Sequence, residues 1–251
     1  MPDPVPASPE LTAPPLTEVQ RVVDTFAAPS KTFTDILRKA TFWGPLVIMI
    51  MVGIGFSYAV QQKIGWQKVT ENNLHQTPQV EEQLEKLPAD QQATQRAARV
   101  KGTAIVTYCY TVLILFFTVI FALLEWVTVN FGFGGTSKFG QIFAVTMYAN
   151  LVFNIKFLLA IVSLFAGLAP DSFLLGNPVG TNIGYYLSTD VPKWLFALCS
   201  RLDIFEIWSL ILSTIGVSIV AKVSRGKAAA AVWGWWLIGV LVGVGLTAAF
   251  S

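Results

Sequence analysis

The sequence predicts an all-α integral membrane protein with five transmembrane helices, preceded by amphipathic helices at the membrane interface. Of the 251 residues, 54% are hydrophobic and 13% are charged, whereas soluble domains carry roughly 25% charged residues. Five apolar segments approach the length of about 20 residues that crosses the hydrocarbon core as a helix. The lipid bilayer is therefore the expected solvent, and the first expected partner, of most of the chain.

Residues 1–15, "MPDPVPASPELTAPP", are predicted to form a disordered, proline-rich tail. The segment has no lysine, no arginine and no apolar h-region, so it lacks the pattern of a secretory signal peptide. The first transmembrane helix is therefore expected to act as the insertion signal.

Residues 16–40 are predicted to form two short amphipathic helices beside the membrane. The first begins with the capping box "TEVQ" and ends before Pro29. Its apolar residues recur at helical spacing, and they are Val19, Val22, Val23 and Phe26. The second has an apolar stripe of Phe33, Ile36, Leu37 and Ala40 among the basic residues Lys31, Arg38 and Lys39. This pattern suits a helix in the lipid headgroup layer, and it equally suits a helix packed on the protein's own surface.

Residues 41–251 are predicted to form the membrane domain. Its five apolar segments are residues 44–61, 104–131, 143–168, 203–223 and 229–250. A polar loop at 62–103 separates the first two, and within it "TPQVEEQLEKLP" has the Thr-Pro start of a short helix. The loop between the third and fourth segments is rich in Pro, Gly and Asn, and its residues 194–199 are expected to form an interfacial helical turn.

The lysines and arginines near the ends of the spans favour a cytoplasmic N-terminus and an outside C-terminus. In that orientation the basic turn "AKVSRGK", with Lys222, Arg225 and Lys227, lies in the cytoplasm together with Lys138. The opposing basic residues, which then lie outside, are Arg96, Arg99, Lys101, Lys193 and Arg201. The preference is therefore small.

Asp203 and Glu206 stand three residues apart at the start of the fourth span. This is the spacing of a helix N-cap and an acidic N3 residue, which accept from free N–H groups and favour the positive end of the helix dipole. A catalytic or cation site would need further converging ligands, and no histidine or cysteine nearby supplies an obvious metal set. We therefore predict that the pair caps the helix.

The third span contains the strongest candidate for an intramembrane polar site. Asn150 and Asn154 share one helix face, and Lys156 lies near mid-membrane, where a charge costs at least about 2.5–3.5 kcal/mol on insertion scales. Lys156 should face the bundle interior or a wet cavity, with Glu125 of the second span as a candidate partner. Two interpretations stay open: a pocket for a lipid headgroup, ion or small solute, and hydrogen bonds between helices with a snorkelling lysine.

No catalytic residues, metal ligands or cofactor site are predicted. His75 is the only histidine and lies in the polar loop, while Cys109 and Cys199 fall in or near apolar runs and are expected to pack as small apolar residues. We therefore expect that the chain is not an enzyme. A net charge of +2 also excludes a strongly basic nucleic-acid binder.

The fifth span contains a G-x-x-x-G pattern formed by Gly239 and Gly243. Two small residues one turn apart allow another helix to approach closely. This predicts a helix–helix contact, with other membrane proteins or a second copy of the chain as partners.

Several segments have distinctive sequences in a distinctive order. They are "FAAPSKTFTDI" before the first span, "FWGPL" at its start, "GGTSKFGQIFAVTMYANL" leading into the third, and "NIGYYLS", "RLDIFEIWSLILSTIG" and "SRGKAAAAVWGWW" in the C-terminal half. Together they resemble the Yip (Ypt/Rab-interacting protein) family of multi-pass membrane proteins, particularly its bacterial branch. The resemblance covers about residues 26–250, and the polar insert at 62–103 departs from the compact family pattern.

The resemblance implies a five-helix bundle with a cytoplasmic N-terminus, in bacteria placed in the inner membrane, and a role in scaffolding through partners. We therefore expect a non-catalytic interaction subunit that binds other membrane proteins and forms oligomers. The alternative is a transporter or channel for a small solute, ion or lipid. That alternative requires Asn150, Asn154 and Lys156 to line a continuous cavity that opens to one side.

Overall fold

The computed structural model describes residues 14–188 and 191–249, and in these residues it is helical and has no β-strand. The α-helices are α1 Glu18–Ala27, α2 Pro29–Ile36, α3 Trp43–Lys63, α4 Trp66–His75, α5 Pro78–Glu85, α6 Ala89–Tyr108, α7 Tyr110–Val127, α8 Phe139–Ala149, α9 Leu151–Phe165, α10 Lys193–Arg201, α11 Ile204–Ala221 and α12 Arg225–Ala249. A π-helical turn covers Thr128–Gly132, and 3₁₀ turns cover Pro170–Ser172 and Ile183–Tyr186. The predicted tail falls almost entirely on residues 1–13, which lie outside the described residues.

Among the described residues, five helical segments are long and apolar enough to cross a membrane. They are span 1, Trp43–Lys63; span 2, Tyr110–Gly132; span 3, Phe139–Phe165; span 4, Ile204–Ala221; and span 5, Arg225–Ala249. The predicted fold class is therefore confirmed. Span 2 begins later than predicted because the helix is interrupted at Cys109, where α6 ends and α7 begins.

The polar stretch at 62–103 is largely helical, where the sequence indicated a loop with one short helix. Gly65, with a φ of +80°, turns the chain from span 1 into α4, and this conformation strongly favours glycine. α4 then buries Trp66 and Val69 against the core around Phe56 and Phe173. Because the other positions of α4 are polar, the composition of this segment did not predict a helix with a buried face.

The chain divides into two compact units. Unit 1 comprises Met1–Ile48, Leu115–Val152 and Glu206–Val242, and unit 2 comprises Met49–Ile114, Phe153–Phe205 and Gly243–Ser251. In unit 1, Gly216 lets α2 pack closely, because a Cβ there would clash with Val145 and come within 3.0 Å of Phe33. In unit 2, the core around Phe56, Val69 and Phe173 joins α3 and α4 to the loop that follows span 3.

The N-terminal helix pair, α1 and α2, belongs to unit 1. α2 buries Phe33 and Ile36 completely, so this helix packs on the protein itself. α1 is arranged the other way round: its polar residues Arg21 and Thr25 are buried, and its apolar residues Val19 and Val23 are 73% and 57% exposed.

Candidate functional site

The charge on span 3 is paired within unit 2. The Nζ of Lys156, on α9, lies 2.7 Å from the Oδ2 of Asp203, the residue immediately before α11. The Lys156 side chain is 17% exposed and that of Asp203 is 2% exposed. The carboxylate therefore offsets the cost of placing an ammonium group on an apolar helix.

Asp203 accepts hydrogen bonds from several other directions. The backbone N–H of Phe205 donates to Oδ1 at 2.9 Å, which is an N-cap interaction at the start of α11. The Thr181 hydroxyl donates to Oδ2 at 2.6 Å and the Asn182 amide at 3.4 Å. One carboxylate thus caps span 4, neutralises Lys156 and fixes the loop around residue 181.

The pKa of Asp203 follows from these contacts. Burial raises the pKa, but the hydrogen bonds from Lys156 and Thr181 and the nearby positive charge lower it by more, so it lies below its ordinary value of 3.8. The group is ionised at neutral pH and its lone pairs are occupied. It is therefore suited to holding helices together, since a carboxylate with occupied lone pairs is a poor general base.

Asn150 is hydrogen-bonded within unit 1. Its Nδ2 lies 3.3 Å from the Oγ1 of Thr118 on span 2, and its Oδ1 accepts from the Ser209 hydroxyl on span 4 at 3.1 Å. The side chain thus joins three spans. Such polar bonds are the common way in which helices are held together in a membrane.

Asn154 lies in unit 2, is buried, and lines a cavity of about 20 Å³ together with Phe56, Thr107 and Phe157. A cavity of this size holds about one water molecule. Asn150 and Lys156 are not among its lining residues. This cavity is therefore too small to form a continuous path for a solute, and the geometry does not favour the transporter alternative.

Glu125 is buried in unit 1 and accepts a hydrogen bond from the Thr146 hydroxyl at 3.3 Å. Glu125, Asn150 and Lys156 thus each bond to different side chains. The carboxylate that pairs with Lys156 is that of Asp203, which the sequence had indicated only as a helix cap. Glu206, the second member of that cap, accepts a hydrogen bond from the indole N–H of Trp236 on span 5 at 2.7 Å.

The N-terminal helix pair contains a buried ion pair that the sequence analysis missed. The Nε and Nη2 atoms of Arg21 both lie 2.7 Å from the Oδ2 of Asp35, and the two side chains are only 4% and 5% exposed. The hydroxyls of Thr25 and Thr32 both donate to the Arg21 carbonyl, at 2.7 and 2.9 Å. No spacing rule joins residues 14 positions apart in two different helices, so no local signal marks this pair.

Glu18 attaches α1 to spans 1 and 3. Its Oε2 accepts from the Tyr148 hydroxyl at 2.6 Å and from the backbone N–H of Gly44 at 3.3 Å, and its Oε1 accepts from Thr41. Burial raises the pKa of Glu18, but the hydrogen bonds from Thr41 and Tyr148 outweigh it and the pKa is lowered. Glu18 is therefore a carboxylate that fixes the entry of span 1.

The two glycines predicted to contact another helix have different surroundings. A Cβ at Gly239 would lie 3.6 Å from Phe121 of span 2, so Gly239 packs within unit 1. A Cβ at Gly243 would meet nothing within 4 Å. Gly243 thus leaves room for a further helix.

These contacts define a multi-pass α-helical membrane protein whose intramembrane polar groups hold its own helices together. Among the described residues there is no cluster of three or more histidine, cysteine or acidic side chains that could hold a metal ion. The family model for the Yip1 domain matches residues 23–246, so the chain belongs to the Yip1 domain family. Comparisons with curated proteins and with solved structures gave no match.

Proposed function

We propose that this Yip1-family protein is a non-catalytic interaction subunit that binds other membrane proteins and further copies of itself through span 5. The observation that supports this most directly is the low burial of that helix. Within the described residues, 17% of its most apolar stretch is buried, compared with 22–44% for the other four spans. Most of its surface is open to lipid or to a partner helix.

Gly243 gives this open surface a place for close contact. The position has no neighbour that a Cβ would meet, and Leu241, Val242 and Leu246 around it are exposed. A helix with small residues can approach the backbone at such a site, where packing and weak hydrogen bonds drive association in lipid. The polar residues of span 3 support the same conclusion, since Asn150 and Lys156 are bonded inside the chain.

The test compares two glycine substitutions on span 5. Gly243→Ile introduces bulk at the proposed contact, and Gly234→Ile introduces the same bulk about 180° around the helix, nine residues away. A Cβ meets nothing within 4 Å at either position, so both variants should fold. The proteins are affinity-purified in mild detergent, and partners and copy number are measured by quantitative mass spectrometry and light scattering.

We expect the wild type to be recovered with a stoichiometric partner or as an oligomer, and Gly234→Ile to behave identically. In Gly243→Ile, the fraction of the protein recovered in that complex should fall at least tenfold. Recovery of the wild type only as a partner-free monomer would contradict the proposal. Equal loss in both variants would place the contact elsewhere.

The exposed face of α1 supports a second part of the proposal, which is that this helix rests in the headgroup layer. Glu18 binds the first turn of span 1 at Gly44, so α1 lies level with that end of the span. Its exposed Val19 and Val23 then face the boundary between headgroups and acyl chains, which suits a helix lying in the plane of the interface.

We also propose a bacterial inner-membrane location with the N-terminus in the cytoplasm. The basic loops after spans 2 and 4 lie together in unit 1, where Lys227 Nζ donates to the Phe133 carbonyl at 3.1 Å and Thr136 N–H donates to the Ala221 carbonyl at 3.2 Å. Grouped lysines and arginines favour the cytoplasmic side.

The orientation is tested with single cysteines in a chain lacking Cys109 and Cys199. Gln91→Cys and Gly226→Cys are treated with a membrane-impermeant maleimide on intact spheroplasts. We expect Gln91→Cys to react at once and Gly226→Cys to react only after the membrane is opened. The reverse result would invert the proposed orientation.

A further inference from the structure

A cleft of about 360 Å³ lies in unit 2, beside the Lys156–Asp203 pair but separate from it. One wall is the segment Gly180–Asn182 with the 3₁₀ turn that follows it, and the other is the entry into span 4. The lining residues are Gly180, Thr181, Asn182, Ile183, Tyr186, Leu187, Leu202 and Ile204. The cleft is shallow and open, and its accessible surface is almost entirely apolar.

The two walls are held in place by hydrogen bonds. The N–H of Ile204 donates to the Thr181 carbonyl at 3.1 Å, and Asn182 and Asp203 form an antiparallel bridge. The Tyr186 hydroxyl donates to the Gly180 carbonyl at 2.9 Å, which fixes the ring at the rim. The cleft is therefore a built feature of the loop and does not depend on a single side-chain rotamer.

These same bonds determine which chemistry the cleft presents. Thr181 donates its hydroxyl to Asp203, Asn182 donates its amide to Asn177 at 2.6 Å, and Tyr186 donates to Gly180 as described, so the three lining polar side chains are engaged with the protein. Among the lining residues that the structure describes, none carries an ionisable carboxylate or amine. What remains is a hydrocarbon surface, which does not suit an ion, a sugar or a nucleotide.

The position of the cleft indicates which apolar ligand can reach it. Ile204, which lines it, is the first residue of span 4, and so lies where the helix enters the apolar layer. Tyr186, at the rim, and Trp194, on the following helix, are both exposed, as aromatic residues at the membrane–water boundary commonly are. We therefore expect the cleft to open towards the lipid.

We propose that this cleft binds one acyl chain of a membrane phospholipid as a specific, non-annular lipid. The site is independent of the proposed partner contact on span 5, so either proposal can fail without the other. The bound chain covers Leu202 and Ile204, both exposed in the protein alone. The gain is the burial of apolar surface that would otherwise meet the polar headgroup layer.

The test uses a matched pair of leucine substitutions in the full-length protein. Leu202 and Leu113 are both 40% exposed in unit 2, and Leu113 does not line the cleft. Leu202→Trp fills the cleft, while Leu113→Trp adds the same bulk elsewhere. Each purified protein is equilibrated with added phosphatidylcholine, and the molecules retained after detergent exchange are counted by native mass spectrometry. Circular dichroism confirms that each variant is folded.

We expect one phosphatidylcholine per chain in the wild type and in Leu113→Trp, and at least a fivefold loss in Leu202→Trp. A second measurement uses photoreactive phosphatidylcholine with the diazirine either near the end of an acyl chain or on the headgroup. The acyl probe should label residues 183–187 and 202–204 in the wild type, and this labelling should fall in Leu202→Trp.

Three outcomes would overturn the proposal. These are retention of no lipid by the wild type, equal retention by the two leucine variants, and labelling of residues 183–187 by the headgroup probe but not by the acyl probe. If Leu202→Trp does not fold, Ile183→Trp, at an exposed lining position, serves in its place.

Discussion

In the described part of each unit, one ion pair joins a cation to a buried carboxylate at 2.7 Å, and these two pairs differ in how completely the cation is enclosed. Arg21 and Asp35 in unit 1 are 4% and 5% exposed, and two guanidinium nitrogens lie 2.7 Å from one carboxylate oxygen. Lys156 and Asp203 in unit 2 also lie 2.7 Å apart, but the lysine is 17% exposed. The same distance therefore occurs in two different environments, and the environment determines how much each pair contributes to stability.

The two pairs also differ in the contacts that the carboxylate keeps when its cation is removed. Asp203 would keep its hydrogen bonds from Thr181 and Phe205. Asp35 has Arg38 as a further basic neighbour, but at 3.8 Å. Because a buried carboxylate that keeps hydrogen-bond donors is less costly than one that loses its close donors, the Arg21 pair should be the more sensitive of the two.

The largest expected effect is that of Arg21→Met, which leaves the Asp35 carboxylate buried without its close partner. The free energy of unfolding should fall by about 3–5 kcal/mol, measured by denaturation of the purified protein in detergent. Arg99→Met, at an exposed position, is the control and should be within about 0.5 kcal/mol of the wild type.

The double variant Arg21→Met/Asp35→Leu sharpens this result. Replacing both members of a buried pair with apolar residues is often close to neutral, so stability should recover by at least half. A double variant no more stable than Arg21→Met would show that Arg21 acts through contacts other than the ion pair.

The second effect in size is that of Lys156→Met. The expected loss is about 1.5–3 kcal/mol, the usual contribution of a hydrogen bond to a charged group, and Lys101→Met at an exposed position should have little effect. A larger loss in the free energy of unfolding for Lys156→Met than for Arg21→Met would reverse the comparison between the two pairs.

A smaller effect is expected for Tyr148→Phe, which removes the hydroxyl that donates to Glu18 at 2.6 Å. Glu18 keeps its bonds from Thr41 and Gly44, so the loss should lie at the lower end of the range for a hydrogen bond to a charged group, about 1.5 kcal/mol. Tyr58→Phe, at an exposed tyrosine, is the matched control. No difference between the two would mean that α1 is held mainly by its partner helix α2.

The smallest effect is a pH dependence in unit 2. The pKa of Asp203 in the folded protein lies below its ordinary value of 3.8, so its stabilising contribution is present above pH 3.8 and is lost as the pH falls further. The stability difference between the wild type and Asp203→Asn should be constant from pH 7 to 5 and should shrink towards pH 3. Glu18 also has a lowered pKa, but it is present in both proteins and cancels. A stability difference between the two proteins that stays constant down to pH 3 would contradict the lowered pKa of Asp203.

The five spans could be predicted from the sequence because their signal is local: about 20 apolar residues in a row have few alternatives to a membrane helix. The start of α1 could be predicted for the same reason, since the Thr17 and Gln20 side chains each bond the other residue's backbone in a capping box. In both cases the deciding contacts lie within a few residues of each other.

The polar pairings could not be predicted because their partners are distant in the chain. Lys156 and Asp203 are 47 residues apart, and Asp203 was interpreted only through its local role as a cap. The orientation of α1 was hidden for a related reason: spacing shows that a helix has two faces, but in a membrane protein the apolar face can be the outer one.

The position of the Arg21–Asp35 pair along the chain has a consequence for biosynthesis. Both residues precede span 1 in the chain, whereas the tyrosine that fastens α1 to span 3 is synthesised 130 residues after Glu18. The two partners of the ion pair are therefore both synthesised before any of the five spans is complete. The surface on which the pair docks, which includes Tyr148 and Gly216, is synthesised later.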